Sequence, residues 1–176
     1  MYAKPTDRVG IIGIGGLGHM AVKLAAAYGC DVTAFTASES KFDEAKGFGA
    51  NHTVSTNDSA AISKLGGNFD LLISTVNVKL DWNAIIGTLA PKGRLHVVGA
   101  VLEPISVAAF SLILQQRSVS GSPTGSPVAI ATMLDFASRH NIVPENGHFP
   151  MSAINEAFAR LESGKAHYRI VLDADS

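Results

Sequence analysis

Val9-Gly10-Ile11-Ile12-Gly13-Ile14-Gly15-Gly16-Leu17-Gly18 is the stretch on which the fold turns. Val9 to Ile12 has the apolar, β-branched character of a buried strand, and Leu17, Met20, Ala21, Leu24, Ala25 and Tyr28 recur at the spacing of one helix face. The glycines therefore sit between strand and helix. Gly13 permits a tight turn, Gly15 lets the backbone approach a pyrophosphate, and Gly18 lets the helix pack close against its strand. Free amides at the helix start, backed by the helix dipole, form an anion site. A turn that merely shapes the chain would satisfy the same spacing. The succession of strand, turn, helix and second strand favours dinucleotide binding, and no Lys-Ser or Lys-Thr follows the glycines as a Walker-type loop requires.

The second strand, Asp31 to Phe35, ends where a dinucleotide site keeps its ribose reader. An Asp or Glu there accepts hydrogen bonds from both ribose hydroxyls of NAD but repels a 2′-phosphate, which carries nearly two negative charges. This chain instead has Thr36-Ala37-Ser38-Glu39-Ser40-Lys41. Thr36 removes the repulsion, Ser38 and Ser40 offer hydroxyl donors, and Lys41 offers a cation. The segment reads as an NADP site. The plainer alternative has Ser38 capping a helix that begins near Glu39 and Lys41 solvated on the surface. Capping and phosphate contact are compatible; Glu39 opposes the NADP reading unless it faces solvent.

The whole chain, 176 residues with 47% hydrophobic and 16% charged, has the size and composition of one domain able to fold alone. A formal net charge of −1 gives no reason to expect a nucleic-acid or anionic-membrane partner. Met1 to Arg8 is polar and no apolar run approaches spanning length, so a signal peptide and a membrane helix are not expected and the cytoplasm is. Cys30 is the single cysteine, which excludes an internal disulfide and a multi-thiolate zinc site. The six histidines are scattered without paired spacing, so no metal site is expected, and His19 is expected to be exposed or capped.

Alternation continues along the chain. A helix through Phe42 and Ala45, a strand around Thr53-Val54, a helix through Ile62 and Leu65, a strand from Phe69 to Ser74, a helix through Trp82, Ile85, Ile86 and Leu89, and a strand from Gly93 to Val98 follow in order. Val107 to Gln116 reads as a helix and Ser118 to Gly121 as a sixth strand. Gly121 to Pro127 is a loop, Ile130, Met133, Leu134 and Ala137 mark a helix, and Ile154, Ala157, Phe158 and Leu161 mark another that Gly164 ends, before a strand from Tyr168 to Leu172. The expected fold is α/β: a doubly wound, six-stranded parallel sheet of the Rossmann type, with a C-terminal helix and strand.

The glycine turn with His19, the Thr36 to Lys41 segment, Val97-Val98-Gly99-Ala100 and the closing Ser163-Gly164-Lys165-Ala166-His167-Tyr168-Arg169 together resemble the cofactor domain of the zinc-dependent medium-chain alcohol dehydrogenases, most closely the NADP-using cinnamyl-alcohol-dehydrogenase branch. The resemblance covers nearly the whole chain. It implies that the backbone of Gly15, Gly16 and Leu17 faces the pyrophosphate and that Ser38 and Lys41 face the 2′-phosphate. It also implies that Thr75, Val76, Val98, Gly99 and Ala100 border the path from adenosine to nicotinamide. Ser122, Pro123 and Thr124 then hold the carboxamide, and Arg169 reaches the cofactor phosphates. Pro123 stands where this branch usually has an aromatic residue, so the carboxamide pocket is expected to be remodelled.

In the family an N-terminal domain supplies the catalytic zinc ligands, a structural zinc site and the proton relay. That domain is expected to be absent from this chain, leaving no catalytic residue and no metal ligand here, and the isolated chain is expected to be catalytically incomplete. The implied function is hydride transfer between NADP(H) and a primary alcohol or aldehyde in the complete enzyme. The competing readings are a domain of a zinc-free quinone or enoyl reductase and a non-catalytic NADPH sensor. Methyltransferases also use glycine-rich turns, but usually want an acid after the second strand. The resemblance further implies a homodimer through the edge of the sixth strand, Ser118 to Gly121.

Overall fold

The computed structural model describes residues 3–164 and 166–174, so Met1 and the Lys165 of the closing motif lie outside the described residues. The chain runs β1 (Arg8–Ile12), α1 (Gly18–Ala27), β2 (Asp31–Thr36), α2 (Phe42–Gly47), β3 (His52–Ser55) and α3 (Ser59–Lys64). It continues through β4 (Phe69–Ser74), α4 (Trp82–Gly87), β5 (Leu89–Val97), α5 (Ala109–Ile113) and β6 (Ser118–Gly121). It closes with α6 (Pro127–Arg139), β7 (Asn146–Pro150), α7 (Ile154–Glu162) and β8 (Arg169–Asp173). The main sheet has six parallel strands in the order β3-β2-β1-β4-β5-β6. This is the expected doubly wound α/β fold, and its direction of winding reverses between β1 and β4, where such sheets open a crevice at the carboxyl ends of the strands.

Strand alternation divides the core into two layers. Ile11, Ala34 and Leu71 point to one face and join Val22 of α1 and Ala45 of α2. Ile12, Phe35 and Leu72 point to the other and join Ile62 of α3 and Trp82, Ile85 and Ile86 of α4. The register places Ile12 beside Phe35 on one side and Ser74 on the other, which brings the ends of β1, β2 and β4 level. Full burial of Ile11, Ile12, Leu72 and Leu95 contributes about 1.5–3 kcal/mol each. That packing fixes the strand ends.

Several boundaries differ from the sequence reading. Leu89 continues the helical spacing of Ile85 and Ile86, but it pairs with Phe69 and opens β5, so α4 stops at Gly87. The helix read over 107–116 contracts to α5, because Ala108 is extended and Gln116 adopts a positive φ of 53°. The following helix is longer than its periodicity, since the Ser126 hydroxyl caps Ala129 and Pro127 starts the first turn. β7 was not anticipated: Asn146-Gly147-His148-Phe149-Pro150 has no strand pattern and is held by parallel pairing with β8.

Candidate functional site

The turn after β1 is built by close backbone approaches. Gly13 takes φ +91° and its amide donates to the carbonyl of Phe35 at 2.8 Å, tying the turn to the end of β2. A Cβ on Gly18 would lie 1.8 Å from the carbonyl oxygen of Gly13, so α1 leaves the turn at a distance that only glycine allows. Thr75, just past β4, locks the same carbonyls: its hydroxyl lies 3.0 Å from the Ile12 oxygen and 2.9 Å from the Gly13 oxygen.

The helix that follows has no cap of its own. α1 lacks a side-chain cap and has no acidic residue in its first turn, whereas α3, α4 and α6 are capped by Asp58, Asp81 and Ser126. The amides of Gly16 and Leu17 have no acceptor among the described residues. A Cβ on Gly15 would meet nothing within 4 Å. The result is an uncapped, positively polarised helix start facing open space, which is what an anion requires.

That space is a crevice of about 800 Å³. Gly13, Gly15, Gly16 and Leu17 form one wall, Thr36, Ser38 and Lys41 a second, and Thr75, Val76, Val98, Gly99 and Ala100 a third. Lys41 and Arg169 are its two charged lining residues, and no carboxylate lines it among the described residues. Glu39 is exposed and lies off the lining.

At the end of β2, Thr36 is buried and its hydroxyl accepts from the Ser38 amide at 3.2 Å. Ser38 stands at the N-cap of a 3-10 turn over Glu39–Lys41, but its hydroxyl makes no cap bond and pairs with that of Ser40 at 2.7 Å. Lys41 is not a free surface cation either. Its Nζ donates to the Ile14 carbonyl at 3.0 Å and sits 5.6 Å from the Tyr168 ring centre, so its charge is held between the glycine turn and the ribose segment. The side-chain cap of the plainer alternative is therefore not formed, and Lys41 is tethered rather than free.

Arg169, at the start of the C-terminal strand, and Tyr168 before it complete the lining. Arg169 lines the crevice beside Gly16, and its guanidinium has no partner among the described residues. His19, expected to be exposed or capped, is fully buried. Its Nδ1–H donates to the Gly15 carbonyl at 2.9 Å, and its Nε2 accepts from the Glu145 amide at 3.2 Å. Burial lowers the pKa of His19, opposed by the Gly15 bond, so the ring is neutral. Lys23 donates to Glu145 at 2.6 Å and holds that carboxyl below its usual range. Together they fasten the segment before β7 to the back of the glycine turn.

Five predicted residues lie off the crevice lining: Gly18, Ser40, Ser122, Pro123 and Thr124. Gly18 acts through packing and Ser40 through Ser38. Ser122 follows β6, where its hydroxyl meets Nε2 of His96 at 2.8 Å, while Ser120 meets Nδ1 of the same ring at 2.9 Å. Pro123 and Thr124 are exposed. The crevice also contains residues that sequence reasoning missed, notably Thr56, Asn77 and Tyr168. Thr56 was findable, since it stands just past the strand neighbouring β2; Tyr168 carries no signal beyond its place before Arg169. Among the described residues no group of three or more His, Cys, Asp or Glu could hold a metal ion, and no helix is long and apolar enough to cross a membrane.

A family described as zinc-binding dehydrogenase matches residues 16–139. An aldehyde reductase from Synechocystis is 57% identical over 169 residues, covering 96% of this chain and 50% of that protein. A cinnamyl alcohol dehydrogenase from Sorghum bicolor superposes with a TM-score of 0.91 at 36% identity, over 97% of this chain and 48% of that one. A Helicobacter pylori relative solved with NADP(H) gives 0.82 at 32% identity, over 97% and 48%. The chain thus spans about half the length of the relatives it matches.

Proposed function

Since the chain belongs to the zinc-binding dehydrogenase family, we propose that it is the NADP-binding half of an alcohol or aldehyde dehydrogenase. One observation carries this reading: the crevice at the switch point joins an uncapped helix start to a ribose segment that contributes Lys41 and no carboxylate to the lining. The amides of Gly16 and Leu17 hold the diphosphate, with Arg169 beside it. Ser38 and Lys41 hold the 2′-phosphate, with the Ser40 hydroxyl paired to that of Ser38. The NADP(H)-bound relative from Helicobacter pylori supports the same cofactor. When bound, the nicotinamide supplies or accepts the hydride.

Val76, Val98, Gly99 and Ala100 wall the route toward the nicotinamide end, and Ser122 to Thr124 leave β6 at the same carboxyl edge of the sheet to orient the carboxamide. Zinc has no seat among the described residues; its ligands and the substrate-shaping groups are assigned to an N-terminal domain outside these 176 residues. A small primary alcohol or aldehyde is the proposed substrate of the complete enzyme. Titrating the chain with NADPH and NADH by fluorescence tests the reading: NADPH should bind the more tightly, and equal affinities would refute it.

A second copy is proposed to pair along β6, the edge strand of the main sheet, which carries exposed Val119. Sedimentation should show a dimer, and a monomer at high concentration would refute it.

A further inference from the structure

Tyr168 is held from several sides although the cofactor reading gives it no task. Its φ of +64° is a left-handed backbone that a bulky side chain rarely adopts. The ring lies 4.7 Å from His19 and edge-on to Phe48 at 5.1 Å, and the hydroxyl donates to the carboxylate of Glu44 on α2. The backbone is pressed on the glycine turn: a Cβ on Gly16 would lie 2.8 Å from the Tyr168 carbonyl oxygen and 3.7 Å from Cγ of Arg169. The left-handed turn at Tyr168 therefore decides where the next side chain goes.

We propose that Tyr168 is a positioning residue: its hydroxyl bond to Glu44 fixes the turn into β8, and that turn aims the Arg169 guanidinium at the anion site over Gly15 and Gly16. The inference rests on the cofactor reading, because the anion in question is the diphosphate shared by NADPH and NADH. Arg169 is exposed and ends in a long, rotamer-rich side chain. Anchoring its backbone lowers the ordering required when the diphosphate arrives.

Tyr168→Phe keeps the ring and its packing while removing only the hydroxyl. Fluorescence titration of the full chain with NADPH and with NADH should show Arg169→Ala weakening both about tenfold, and Tyr168→Phe weakening both about threefold. The double variant should bind no worse than Arg169→Ala, because the hydroxyl acts through the guanidinium. Glu44→Gln, which keeps an acceptor oxygen, should retain parental affinity, and Glu44→Ala should behave like Tyr168→Phe. The Glu44 pair reads the same bond from its other end if Tyr168→Phe does not fold. A merely structural hydroxyl would lower the melting temperature yet leave the two substitutions additive in affinity. Additivity, or parental affinity in Tyr168→Phe, overturns the positioning role. A parent chain that binds neither dinucleotide overturns the cofactor reading instead, and the positioning role with it.

Discussion

Replacing Lys41 with alanine should separate the two nicotinamide cofactors, because on the proposed cofactor reading its ammonium faces the 2′-phosphate that only NADPH carries. Lys41 Nζ is tethered to the Ile14 carbonyl at 3.0 Å and lines the crevice with Ser38, and no carboxylate lines it among the described residues. A 2′-phosphate brings about −1.5 to −2 charge at neutral pH, and a hydrogen bond to a charged group contributes about 1.5–3 kcal/mol. The lower half of that range applies, since Lys41 is only half-buried and solvent screens it. The expected loss is about 1.5 kcal/mol, or roughly tenfold in NADPH affinity, with NADH unchanged. Parallel titrations at 50 and 300 mM salt provide the check, because the NADPH preference of the parent should shrink as ionic strength rises and that of the variant should not. An equal loss for both cofactors would refute the reasoning, since it would place Lys41 on the diphosphate or in the fold rather than on the 2′-phosphate.

Two further outcomes concern the scaffold. Burial holds the folded-state pKa of His19 below its ordinary value of 6.5, so the unfolded chain takes up a proton that the folded one refuses. Stability should be full above about pH 6.5 and fall as pH drops below it; urea unfolding at pH 7.5 and 5.5 should show the loss, and His19→Gln should remove part of it, His96 supplying the rest through its own lowered pKa. Gly18→Ala should lower stability by about 3 kcal/mol, because its Cβ would sit 1.8 Å from the Gly13 oxygen, backbone against backbone; an unchanged melting temperature would refute the close-packing role.

The strands of the main sheet were legible because burial on both faces writes apolar runs such as Val9 to Ile12 and Leu71 to Ile73. The glycine turn was legible because its geometry excludes side chains at fixed positions. Local chemistry of that kind is written in residue type and spacing alone. The pairing of β7 with β8, the burial of His19 against Glu145, and the left-handed turn of Tyr168 onto Gly16 were decided by tertiary structure. They join residues more than a hundred positions apart or depend on a partner strand, and a contact made only when distant segments meet leaves no periodicity in either one.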